Sequence, residues 1–340
     1  MSITRPLKLY PSPVDLRDWK LVLNTNLASA RVRATNVDLS NFCTNVKDQG
    51  NLSSSTSFAA IGMMEFLQKK FGENKSDDIF SERFTYYATR VDVLNWNPED
   101  CGAYIRDTIK SLVRFGTCKE ATFPYNGDCT TKPSNEAYAE ASTYKALSYA
   151  RFDNNQIISS NKLLILDAMK SGLETGFPIM GGMNCYSNIW NAENGVIPLP
   201  NGQLIGGHAI LIIGYDDATN MFKFKNSWSS SWGNNGYGYL PYEYLLSGNL
   251  FDLWTIYTAA NGSLNNVGLS VVNPNADKQA TVQSLQAILQ SMNNTIPSIM
   301  NNPSALNNYF NDLINQYKSQ NHLSMFLHLL KNQTINLLIK

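Results

Sequence analysis

KDQGNLSSSTSFAAIGMMEFL, residues 47–67, passes from a polar glycine loop straight into an apolar run. Phe58, Ile61, Gly62, Glu65 and Phe66, with Met63, Met64 and Leu67, recur at helical spacing and predict a largely buried helix from Ser54 to about Phe71. Ser53 or Ser54 would cap it, because a serine side chain satisfies an amide that the first turn leaves unbonded. Ser55 then falls in the first turn, where aligned peptide dipoles place about half a positive charge that favours an anion. Taken alone, Ser55 is one more serine beside a helix cap.

Two later stretches give that position a context. GGHAILIIGY (206–215) and MFKFKNSW (221–228) flank a polar turn at 216–220 and predict a β-hairpin. The spacing sets Tyr215 opposite Met221 and Ile210 opposite Asn226, with His208 two residues away on the same face. Diagonal neighbours on one face lie roughly 7–8 Å apart, within reach of an imidazole and a carboxamide. An asparagine so placed accepts a hydrogen bond from one imidazole nitrogen and leaves the other for a nucleophile. A single histidine among apolar strand residues is more often a satisfied core group. Here it accompanies Gln49 and Ser55, whose side-chain amide and backbone N–H would together form an oxyanion hole.

In this order the motifs resemble the papain-like cysteine proteases, relatives of the cathepsins. Gln49-Gly50 leading to Ser55-Thr56-Ser57-Phe58-Ala59 is similar to the family's nucleophile segment. Gly207-His208-Ala209 through Gly214-Tyr215 resembles its histidine strand. Lys225-Asn226-Ser227-Trp228, with Trp232-Gly233 and Gly236-Tyr237, resembles its asparagine segment. The resemblance covers about residues 12–258, and His208 follows position 55 by about 150 residues, slightly beyond the usual papain-type spacing.

The resemblance implies an α+β, papain-like two-domain fold: a helical left domain, an antiparallel β-barrel-like right domain and a cleft between them. It implies Gln49 as oxyanion donor, position 55 as nucleophile, His208 as general base and acid, Asn226 as the orienting group and Trp228 as the shield of the His–Asn bond. Gly102, Ala103 and Ala209, with Trp228, would contact substrate, the pocket taking an apolar side chain. The implied partner is a peptide or protein substrate, with no cofactor and no metal. Val14-Asp15-Leu16-Arg17-Asp18 is similar to the family's mature N-terminal segment. With no room ahead of it for a long propeptide, an autoinhibitory contact is expected from residues 19–42 or 260–340.

Serine at position 55 departs from the family. A thiol with pKa near 8.5 is ionised by an imidazolium and a helix N-terminus; an alkanol is far harder to deprotonate. Serine proteases use a buried carboxylate to support histidine, and this relay offers asparagine. The chain as written is therefore expected to have little or no peptidase activity. An engineered cysteine-to-serine change and a natural pseudoprotease that binds peptides both fit; a working serine hydrolase is the third reading. Acyl transfer would use the same Cys–His–Asn logic.

Lys plus Arg and Asp plus Glu each number 27, so net charge asks for neither nucleic acid nor an anionic membrane. The first residues lack a signal peptide's apolar run, and no segment reaches the ~18–20 apolar residues of a membrane span. Five cysteines, an odd number without C-x-x-C spacing, predict reduced thiols. Leu52 stands where many relatives carry a disulfide cysteine. A glycosylation sequon, Asn51-Leu52-Ser53, falls inside the nucleophile loop, which also favours the cytoplasm or another reducing compartment.

The organisation expected is an arm and insertion over 1–40, a helical domain over 41–144, a β-rich domain over 145–259, and a linker and helical extension over 260–340. Helical patterns fall at 80–94, 102–116 and 161–172, and in the tail at 280–292, 303–317 and 322–340, with Pro303 at a helix start.

Overall fold

The helix read from the opening stretch runs Ser55–Phe71 (α1), in a computed structural model that describes residues 5–15, 17–23, 32–71, 79–153, 162–257, 269–272, 274–316, 327 and 330–331. Ala60, Ile61, Met63 and Phe66 are fully buried on it, so the helix is core on nearly every side. Neither proposed serine caps it through its side chain. Ser53 Oγ donates to Asp100 at 2.9 Å and Ser54 Oγ pairs with the Tyr125 hydroxyl at 2.8 Å, polar partners that only tertiary folding brings to the helix start.

Three further helices make up the helical half, two of them packed on α1. Glu82–Tyr87 (α2) is capped by Ser81, whose hydroxyl accepts the Phe84 N–H at 3.0 Å, and it continues into a π-turn over Ala88–Val93. Ile105–Arg114 (α3) stops before Gly116, which has φ +82° and lies so close to Ala141 that a Cβ would sit 2.0 Å from its carbonyl oxygen. Asn135–Ala141 (α4) completes the helical half. In the β-rich half, Lys162–Glu174 (α5) packs against the sheet and Glu243–Leu246 (α6) is a single turn.

The strands are β1 (Lys20–Leu23), β2 (Asn36–Asp38), β3 (Ser148–Arg151), β4 (Ile179–Tyr186), β5 (Leu204–Asp216), β6 (Met221–Lys225), β7 (Tyr237–Pro241), β8 (Leu250–Tyr257) and β9 (Leu269–Val272). They form one sheet in the order β7-β6-β5-β4-β8-β3-β1-β9, with β2 on β5. Every pairing is antiparallel except β1 with β3. The expected polar linker is partly structured: Leu269–Val272 pairs with β1, and a helix starts at Pro274.

The β5–β6 hairpin corrects the turn and keeps the register that matters. Asp216, not Tyr215, faces Met221, a slip of one residue. A bulge between Ile212 and Gly214 absorbs the extra residue, so Leu211 faces Lys225, the alignment that brings Ile210 and its neighbour His208 toward Asn226.

A buried charged cluster fixes α1 to the loops around it. Lys47 Nζ lies 2.9 Å from Glu65 and 2.7 Å from Glu82. Thr44 donates its hydroxyl hydrogen to Glu65 and accepts from Lys225 Nζ at 3.0 Å, and the Phe80 N–H reaches Glu65 at 3.0 Å. Glu65 thus accepts from the 44–47 loop twice and from the Phe80 amide.

Residues 273–340 form a second compact unit, described here by itself. Pro274–Ile299 (α7) and Pro303–Gln316 (α8) bury Ile288 against Leu313, Ile314 and Leu327. Pro303 begins α8 as expected, and Asn302 Oδ1 accepts the Ala305 N–H at 3.1 Å. The pattern at 322–340 lies almost wholly outside the described residues.

Glu65→Ala leaves Lys47, Thr44 and the Phe80 amide short of an acceptor in a dry interior. It is expected to lower stability by about 3 kcal/mol, read as a reduced urea midpoint at unchanged m, while Ala at exposed Lys110 shifts stability by less than about 0.5 kcal/mol.

Candidate active site

The strand and helix just described bring together four of the residues singled out in the sequence. Ser55, first in α1, is buried, and its Oγ accepts a hydrogen bond from the Ala209 N–H at 3.2 Å. Ala209 follows His208 on β5, so the hydroxyl touches the strand that carries the imidazole.

The imidazole Nε2 lies 2.8 Å from Asn226 Oδ1, and that oxygen also accepts the Ser227 N–H at 2.8 Å. Two donors converging on Oδ1 identify it as the amide oxygen and place the imidazole proton on Nε2. Nδ1 therefore keeps its lone pair, buried and with no hydrogen-bond partner among the described residues. Burial pushes the imidazole down to about 4, against the opposing pull of the Asn226 bond, so it is neutral at neutral pH.

Three tryptophans close over this pair. The Trp228 ring centroid is 4.5 Å from the imidazole, Trp190 is 5.6 Å from Trp228, and Trp232 meets Trp228 edge-on at 5.2 Å. An amide–imidazole bond shielded in this way meets little competition from water.

Gln49 spans the two halves. Its N–H donates to the Ser227 carbonyl at 2.9 Å, its Oε1 accepts from Ser227 Oγ at 2.6 Å, and its Nε2 donates to the Leu52 carbonyl at 2.8 Å. One amide hydrogen remains for an oxyanion. Ser227, which holds this carboxamide in place, was given no role in the sequence reading although it lies between two residues that were. Its signal was its position between Asn226 and Trp228.

The expected substrate contacts divide. Gly102, with φ +78°, meets another segment so closely that a Cβ would sit 2.0 Å from the Lys8 carbonyl oxygen. Ala103 packs with Leu52, Tyr86 and Cys129. Ala209 lines a small cavity of about 10 Å³, with Lys47, Phe58, Glu82, Leu211 and Asn226 among its neighbours. Burial raises Glu82 there to about 7.

The segment lying along Gly102 and Gly207 is residues 7–9. The Leu9 N–H donates to the Gly207 carbonyl and the Gly207 N–H to the Leu7 carbonyl, both at 3.2 Å. Beyond it, Ser12 donates to Asp252 at 2.6 Å, and Arg106 to the Pro13 carbonyl at 2.6 Å. Of the two stretches expected to supply an autoinhibitory contact, 19–42 and 260–340, the first pairs Lys20–Leu23 with β3 and β9 and Asn36–Asp38 with β5.

The start of α1 thus touches the strand whose imidazole is held through its other nitrogen by an amide. A family model described as papain family cysteine protease matches residues 33–244. The solved structure of xylellain, a cysteine protease from Xylella fastidiosa, is 31% identical with a TM-score of 0.64, covering 74% of this chain and 96% of that one. A peptidase C1-like protein of Acanthamoeba polyphaga mimivirus is 34% identical over 236 residues, 67% of this chain and 75% of the relative. A cathepsin B-like protein of Giardia intestinalis is 26% identical over 203 residues, 56% of this chain and 62% of its own length. The chain belongs to the papain family of cysteine proteases. Since the match begins at residue 33, the Val14–Asp18 segment lies ahead of the matched region.

His208 sets a testable pH dependence. Its folded pKa of about 4 lies below the unfolded value near 6.5, so the unfolded chain binds the extra proton and stability falls as pH drops from about 6.5 to 4, by about 3 kcal/mol. Glu82 and Asp153, raised by burial to about 7 and about 6, act in the opposite sense, losing stability as pH rises. The stability difference between the parent and His208→Gln isolates the histidine and is expected to shift against the parent through that window. Ring-proton NMR of the three histidines should show one with no titration step between pH 5 and 8.

Proposed function

We propose that this chain is a papain-type peptidase scaffold in a non-cleaving form, one that binds an extended peptide segment along Gly102 and Gly207 and does not cut it. The observation that carries this is the state of position 55. A hydroxyl, held by the Ala209 N–H, lies against the strand that carries a neutral imidazole backed by an amide instead of a carboxylate.

With a thiol at position 55 the same groups support a complete cycle. His208 Nδ1 would take the thiol proton, and the α1 N-terminus and the Ala209 N–H would favour the thiolate. Sulfur would attack the peptide carbonyl while the N–H of residue 55 and Gln49 Nε2 receive the oxyanion. His208 would return its proton to the departing amine, and water would release the acyl group. With serine the first step fails: the alkoxide is poorly accessible, and an imidazole with pKa of about 4 is a weak base with no carboxylate to support its charged form.

The bound segment in the structure is the chain's own residues 7–9, which supports an autoinhibited arrangement. The five unbridged cysteines support a reducing compartment as the place of action. Among the described residues no helix is long and apolar enough to cross a membrane.

The decisive experiment weighs the intact protein after exposure to a peptidyl epoxide. Ser55→Cys is expected to gain one adduct at position 55 and to hydrolyse a peptide amide, with the serine chain slower by at least about 1000-fold. A serine chain as active as the cysteine variant, or a cysteine variant that neither labels nor cleaves, overturns the proposal.

A further inference from the structure

The segment along the groove carries more than backbone. Arg5, Lys8 and Leu9 each meet a distinct feature, and the two basic side chains each meet an aspartate. Arg5 donates to the Asp48 carboxylate at 2.8 Å and is only 10% exposed. Lys8 Nζ lies 2.8 Å from the Asp100 carbonyl oxygen and 3.9 Å from its carboxylate. Leu9 is buried beside Gly182, where a Cβ would come within 2.9 Å of Leu9 Cδ2.

Both aspartates are set in place by groups other than the arm. Asp48 Oδ1 accepts the Gly50 N–H at 2.8 Å, which leaves Oδ2 for the guanidinium. Asp100 Oδ1 accepts from the Ser53 N–H at 2.9 Å and the Tyr86 hydroxyl at 2.6 Å, and Oδ2 accepts from Ser53 Oγ at 2.9 Å. Asp48 adjoins Gln49, and Ser53 stands two residues before Ser55, so both charges border the loop that leads to position 55. Backbone pairing with Gly207 reads no side chain; fixed carboxylates beside it do.

We propose that Asp48 and Asp100 are specificity-determining residues, and that the groove selects extended peptides carrying two basic side chains three residues apart among apolar ones, in the manner of Arg5-Pro6-Leu7-Lys8-Leu9. This rests on the reading of the groove as a peptide site and adds the class of peptide. An acidic or neutral segment would leave two oriented carboxylates without a cation and, for the acidic one, facing like charge.

A fluorescent peptide of residues 5–13 added in trans to the full chain carrying Leu9→Ser, whose own arm is weakened, tests this; Leu7→Ser replaces it if circular dichroism shows loss of fold. Asp48→Asn and Asp100→Asn, each in that background, are expected to weaken binding about fivefold, with further weakening in 0.5 M salt. A peptide with glutamate for Arg5 and Lys8 is expected to bind more than about 20-fold less tightly. Binding of a citrulline and norleucine peptide within twofold of the basic one overturns the charge selection and leaves the groove reading intact. Failure of every peptide, whatever its charge, overturns the groove reading and this inference with it.

Discussion

The hydrogen bond between His208 and Asn226 is the constraint on which the site depends, and it exists because of one bulge. Without the extra residue between Ile212 and Gly214, the observed turn would set β6 one place out against β5, and a one-residue slip in a strand sends side chains to the opposite face. With it, the imidazole and the carboxamide meet at 2.8 Å beneath three indole rings. The bond fixes the tautomer, and the tautomer leaves a lone pair on the nitrogen that a reaction would use.

The helical half contributes position 55 and holds it by different physics. A buried carboxylate at Glu65 gathers Lys47, Thr44 and the Phe80 amide around α1, and Gln49 carries the grip across to Ser227 on the other side. Burying so many charged and polar groups costs desolvation unless each finds its partner, so the arrangement tolerates few alternatives. The same loops supply Asp48 and the Asp100 contact of Ser53, which ties two carboxylates to the placement of position 55.

Much of this was legible in the sequence. The α1 run, the hairpin and the helix stop at Gly116 follow from periodicity and backbone preference, which act over a few residues. The pairing of His208 with Asn226 was readable because the hairpin register sets them on one face, and the motifs around Gln49, Ser55 and His208 are distinctive. The cap at Ser53 and Ser54 was misread because Asp100 and Tyr125, far along the chain, compete for the same hydroxyls. The short strand at Leu269–Val272 escaped notice because four residues carry little pattern until a partner strand pairs with them.

The sequence by itself determined which groups are available and that position 55 carries an alcohol, because side-chain identity is covalent. It also determined where helices and strands begin to form, since those preferences are local. Tertiary structure alone decided that the imidazole is neutral, that Ser227 holds Gln49, and that residues 7–9 lie along Gly207. Each of these depends on burial or on contact between segments distant in the chain, and neither is written in any short stretch of residues.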